Sequence, residues 1–232
     1  ARKITTSRSF YKYWTNKDHL IKENPVKDLD SPKLKKTLPK YLTLEESVQL
    51  LSSVDGQNRE RDYCILTLFL NCGLRISELC ALNTTDIQDD ALRVLGKGNK
   101  VRIVYLNDAC KEALSGYLAM RRPIVGRDQN ALFLSSRNER VSRSTVHALV
   151  KKHLSEAGLD STQYSAHKLR HTAATLMLQN GVDVKAVQEV LFFNDTATTE
   201  IYTHIDNEAL RVAAKANPLS RVKPPKKNKA GK

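Results

Sequence analysis

The sequence predicts a mainly α-helical protein with one small antiparallel β-sheet. Three observations lead there. Apolar residues recur at helical spacing through most of the chain after Thr43. At ALRVLGKGNKVRIVYL the pattern switches to alternation on both sides of GKGN, a hairpin signal. Glycines at 73, 158 and 181 stand just past helical stretches, where a left-handed cap favours glycine.

The elements follow in order. Residues 4–22 carry Phe10, Tyr11, Trp14 and Leu20 at helical spacing and read as one amphipathic helix. A lone helix cannot bury its own apolar face. Residues 1–28 therefore read as the tail of an upstream domain. Prolines 25, 32 and 39 remove helix donors and bias their neighbours to extended backbone. Residues 29–41 are thus a linker, made basic by Lys33, Lys35, Lys36 and Lys40. Thr43 followed by Glu46 is a capping-box start. Residues 59–71 form a core helix that stops near Gly73, and ISELCAL continues helically after Arg75. Two short strands flank GKGN. Helices are predicted over 108–121, 143–157, 166–179 and 183–191. The main body spans 42–217, and the lysine-rich tail 218–232 is expected to be disordered.

The chain has 232 residues, 41% of them hydrophobic, enough for a packed core. No apolar run approaches the ~18–20 residues of a membrane span. ARKITTSRSF lacks the apolar core of a signal peptide. A net charge of +13 calls for a polyanion. Nucleic acid is favoured over a membrane surface, because only 6% of residues are aromatic and no long basic amphipathic helix stands out. A generally basic soluble protein is the plain alternative. Cys64, Cys72, Cys80 and Cys110 form no CxxC pair, so zinc is not indicated. Three of them lie in apolar helical segments and read as buried, reduced thiols.

Phosphodiester chemistry without a metal needs fixed cations on the non-bridging oxygens, a nucleophile, and an acid for the leaving oxygen. Arg75, in NCGLRISEL, sits at a helix start, where unpaired backbone N–H groups favour an anion. Its ordinary alternative is a surface arginine paired with Glu78. Lys97 lies in the hairpin tip GKGNK, where the flanking glycines leave its side chain unobstructed. Its alternative is a solvated turn lysine, and Lys100 competes with it. His167 and Arg170, three apart in SAHKLRHTAATLML, share a helical face. Imidazole relays protons near neutral pH, and guanidinium forks onto two phosphate oxygens. His171 reads as a packed histidine pointing elsewhere. Tyr202, in TTEIYTH, has a phenol that attacks only with help from cations or an acceptor. Alone, it reads as a core residue.

The ordered set GLRISEL, GKGNK, HKLRHT and TTEIYTH resembles the tyrosine recombinases, the family of phage integrases and Xer-type resolvases. The resemblance covers residues 42–217 and extends to the linker. Each motif alone is weak, and four in order are specific. The resemblance implies the tyrosine recombinase catalytic fold, with Tyr202 as nucleophile on a DNA phosphate. It makes Arg75 and Arg170 braces for the phosphoryl oxygens. Lys97 becomes the proton donor to the 5′-oxygen, and His167 an aid to proton transfer. Lys33, Lys35, Lys36, Lys40, Lys100 and Arg102 are expected to contact DNA. No metal or other cofactor is implied. The implied partner is double-stranded DNA, bound by a homotetramer across two duplexes, with residues 205–217 packing on a neighbouring protomer. The implied location is the bacterial cytoplasm, at the nucleoid. A DNA-binding relative with impaired catalysis and a type IB topoisomerase are the competing readings, and the compact Xer-like motif set points away from the topoisomerase.

The sequence departs from the family at one place. The helix before the tyrosine ends Leu-Gly-His or Leu-Gly-Trp in the family, but Leu191-Phe192-Phe193 here. A left-handed Phe192 would cost about 1–2 kcal/mol. Phe193 lacks the N–H that the family's residue offers the phosphate, and loss of one such donor costs on the order of 10²–10³ in rate. The run Asn194 to Thr203, NDTATTEIYT, is also what a common sequencing-adapter oligonucleotide encodes (AAT GAT ACG GCG ACC ACC GAG ATC TAC AC). An assembly artefact laid over a family motif thus competes with a native origin for that run.

Overall fold

A computed structural model describes residues 2–17, 21, 24–27, 29, 40–96, 101–121, 128–191 and 207–225. The chain divides into two compact units, Ala1–Pro39 and Lys40–Lys232. In the first, helix α1 (Arg2–Asn16) carries the predicted aromatic face, with the Phe10 and Trp14 rings 6.1 Å apart. It ends well short of the predicted residue 22. Asn16, a weak helix former whose side chain competes for backbone hydrogen bonds, closes it. The Arg8 guanidinium donates to the Leu29 carbonyl.

The second unit is built around one helix. Its first helix, α2 (Leu44–Ser52), starts on the predicted capping box. The Glu46 N–H donates to Thr43 Oγ1 at 3.1 Å, and the Thr43 N–H donates to the Glu46 carboxylate at 2.8 Å. Then α3 (Arg59–Cys72) runs through the middle and is buried continuously from Asp62 to Cys72. A helix buried on all sides has to be surrounded. Here α2, α5 (Asp108–Met120) and α7 (Ala166–Gln179) pack on it. The core gathers Leu50, Leu66, Phe69, Leu70 and Leu74 from this region with Phe133 and Val150 from later segments. Each such side chain contributes roughly 1.5–3 kcal/mol by leaving water.

After α4 (Ile76–Ala81) and a 3₁₀ turn at Thr84–Asp86, three antiparallel strands form a sheet: β1 (Ile87–Gln88), β2 (Ala91–Leu95) and β3 (Val101–Tyr105). The predicted hairpin is β2–β3, with Leu92 opposite Val104 and Val94 opposite Arg102. Strand β1 was not predicted, because two residues are too short to show alternation. Strands β2 and β3 turn Leu92, Val94, Arg102 and Val104 inward. The carbonyls that end α4 are closed by Arg140, whose guanidinium donates to Cys80 O at 3.1 Å and Leu82 O at 3.0 Å.

Helix α6 (Arg143–Glu156) is capped by Ser142, whose hydroxyl accepts from the Thr145 N–H. Gly158 and Gly181 take the left-handed conformation just past α6 and α7, as predicted. Ala174 and Met177 of α7 seat Val187 and Leu191 of α8 (Val184–Leu191). All four cysteines are free, buried and helical, one more on helices than predicted.

The segment expected to pack on a neighbouring protomer contains a helix that, in the single chain, has contacts of its own. Helix α9 (Asn207–Lys215) lies against α8 and β3 of its own molecule. Ala213 and Ala214 are buried there, and Asn107 Nδ2 donates to Ala214 O at 3.2 Å. A 3₁₀ turn at Pro218–Arg221 follows, and the Asn217 amide donates to Leu70 O at 3.0 Å. The predicted disordered tail is ordered at its start, with Leu219 in the core.

Candidate active site

The site grows from the end of α3. Gly73 caps that helix at φ +56°. A side chain there would be strained, and its Cβ would stand 2.1 Å from Leu191 Cδ2. Glycine thus lets the end of α3 meet the end of α8. Arg170, on α7, bridges the two, its guanidinium donating to the carbonyls of Gly73 and Leu191. It is 3% exposed. Burial, then the nearby Arg75 charge, lowers its pKa to about 10, so it stays charged at neutral pH.

Arg75 stands at the head of α4, and the ordinary alternative for it, pairing with Glu78, is present. The carboxylate accepts from the Arg75 backbone N–H at 2.8 Å and from its guanidinium at 2.9 Å. Glu78 is buried, and Arg102 reaches the same carboxylate from β3 through two bonds of 2.8 Å each. Burial alone would raise the Glu78 pKa. The Arg102 fork and Arg75 together outweigh it and hold the carboxyl at about 2. Arg102 is therefore corrected: its side chain is 6% exposed and engaged by Glu78, not a surface cation. Strand alternation placed it inward, in phase with Val104. That phase was readable in VRIVY, and the role of Glu78 was missed with it.

His167 is exposed on α7, on the side that carries Arg170. His171 does not point elsewhere. Its Nε2 lies 3.1 Å from His167 Nε2, with the rings edge to face. One of the two nitrogens donates and the other accepts. Burial, then the His167 ring and the Lys168 and Arg170 cations, pull the His171 pKa below the ordinary imidazole value.

Lys97, Lys100, Phe192, Phe193, Tyr202, Lys33, Lys35 and Lys36 lie outside the described residues. Lys40 is exposed and bonds Gln163. Among the described residues no group of three or more His, Cys, Asp or Glu side chains is placed to hold a metal. No described helix is long and apolar enough to cross a membrane. The structure thus brings together Arg75, Glu78, Arg102 and Arg170, with His167 and His171 on the same helix as Arg170.

The phage integrase family model matches residues 40–209. The tyrosine recombinase XerC of Caldanaerobacter subterraneus subsp. tengcongensis is 54% identical over 222 residues, covering 95% of this chain and 63% of the relative. The tyrosine recombinase XerC of Thermodesulfovibrio yellowstonii is 38% identical over 231 residues, covering 95% of this chain and 76% of the relative. Among solved structures, the XerA recombinase aligns with a TM-score of 0.61 at 29% identity, over 90% of this chain and 80% of that one. XerH bound to a palindromic difH substrate in a post-cleavage complex aligns with a TM-score of 0.63 at 27% identity, over 82% of this chain and 57% of that one. With the helical fold, the small sheet and the arginine pair already in place, these matches show that the chain belongs to the phage integrase family, as a tyrosine recombinase catalytic domain.

Proposed function

We propose that the protein is a site-specific DNA recombinase or integrase that cuts and rejoins strands through a 3′-phosphotyrosyl link. The observation that carries this reading is the convergence of Arg75 and Arg170. Arg170 holds the Leu191 carbonyl, from which the chain runs on toward Tyr202. The Tyr202 oxygen attacks phosphorus while the bond to the 5′-oxygen breaks. His167 assists departure of the phenol proton, and Lys97 gives a proton to the 5′-oxygen. Arg75 braces the charge on the non-bridging oxygens, and Arg170 joins it by giving up its bonds to the Gly73 and Leu191 carbonyls for the phosphate. One phosphoester bond forms for each that breaks, so the step needs no ATP, and a second strand's 5′-hydroxyl reverses it.

The substrate in this reading is double-stranded DNA, drawn by the net charge of +13, with four protomers acting across two duplexes. The bacterial relatives and the DNA-bound XerH neighbour support that reading, and the nucleoid is where such a protein would act.

The test is a nicked suicide duplex carrying a site that the protein selects from a random-sequence library. A covalent protein–DNA band is expected. Tyr202→Phe abolishes it, and a band that survives in that variant overturns the nucleophile assignment. Phe193→His, paired with Phe192→Gly, restores a donor and a flexible cap, and raises the rate of band formation by about 10²–10³. No band from either the parent or that double variant overturns the recombinase reading. Sequencing the gene across codons 192–203 decides the origin of that run.

A further inference from the structure

Two arginines share one carboxylate at the head of α4. Arg102 approaches Glu78 from the core side and takes both oxygens at 2.8 Å. Arg75 bonds the same two oxygens through its backbone N–H and its guanidinium. An Arg75–Glu78 pair alone is formally neutral and offers a phosphate diester little net attraction. With Arg102 added, the one carboxylate is shared between two guanidiniums. Of the two cations, Arg75 is the one that meets solvent, its side chain 42% exposed against 6% for Arg102. Arg170, close enough for its own pKa to register the Arg75 charge, adds to the same positive field.

Resting on the reading of this site as DNA-cleaving, we propose that Arg102 is a positioning residue that occupies Glu78 from the core and so keeps the charge of Arg75 available to a DNA phosphate. It touches no DNA itself. Its effect passes through Glu78: a carboxylate satisfied from the core side does not draw the Arg75 guanidinium fully onto itself. The fork matters as well as the charge. A lysine at 102 carries the charge, but its ammonium is a point donor and does not reproduce the two parallel bonds.

The experiment is a double-mutant cycle in DNA affinity, using a fluorescent duplex selected by the parent protein from a random-sequence library. Arg75→Ala and Arg102→Met are measured singly and together, with Arg102→Lys in parallel, and folding is checked by thermal melts. Where Arg102→Met fails to fold, Arg102→Lys carries the cycle. The expected result is that Arg75→Ala weakens binding severalfold in the parent and less than twofold once Arg102 is replaced. Equal losses in both backgrounds overturn the proposal. So does a salt dependence left unchanged by Arg102→Met, since the proposal costs Arg75 its phosphate contact in that variant. The cycle reads binding, while the suicide duplex reads cleavage. Coupling without a covalent band leaves the positioning role standing and defeats the cleavage reading, and a band with additive losses does the reverse.

Discussion

At the scale of single residues, Glu78 concentrates the physics of the site. It is a buried carboxylate whose native pKa is held at about 2 against an ordinary 4.5. An unfolded chain, with its carboxyl near the ordinary value, takes up the proton first as pH falls. The stabilisation is therefore complete above about pH 4.5 and lost between there and pH 2, to a total of about 3 kcal/mol. Urea midpoints at pH 5 and pH 3 measure it. Glu78→Gln is expected to be less stable at pH 7, because two guanidiniums lose their counter-charge, and to show a smaller drop between pH 5 and pH 3. Legibility differed among the arginines. GLR and HKLR displayed Arg75 and Arg170 openly, since motif spacing is local information. Arg102 looked like one more cation in a basic hairpin, until alternation and a partner on another element made it an inward one. His171 was misjudged for a related reason. Adjacency to Arg170 suggested the opposite face, while its spacing of four from His167 brings those two rings together.

At the scale of elements, the meeting of α3, α7 and α8 decides where the site's charge sits. The sequence announced that α3 stops at Gly73, but not that Leu191 closes over it, because the two are distant in the chain and only packing unites them. Gly73→Ala forces a left-handed alanine and drives its Cβ into a Leu191 side chain that is itself fully buried. The expected loss is of order 2–4 kcal/mol, seen as a lowered melting temperature. Weaker DNA binding should accompany it, since the Arg170 bridge spans the same junction. A melt that matches the parent's would show that the junction relaxes without strain. The hairpin was legible because alternation brackets GKGN, and α1 was overextended because its apolar spacing continued past the asparagine that ends it.

At the scale of the whole molecule, the excess of +13 has little to do with the fold and much to do with its partner. DNA affinity is expected to fall by at least about tenfold between 50 and 200 mM salt, through release of counterions. A flat salt response in a binding titration would remove DNA as the polyanion. The last helix carries a different consequence. Helix α9 is moored by two small side chains, Ala213 and Ala214, by hydrogen bonds from the Asn107 amide to Ala214 O and from the Asn217 amide to Leu70 O, and by an Arg211–Asp90 ion pair at the rim. Alanine buries little area, and each neutral hydrogen bond is worth only about 0.5–1.5 kcal/mol net. A helix held by so few contacts is expected to open locally at a low free energy, well before the continuously buried α3 does, a difference that amide hydrogen exchange reads directly.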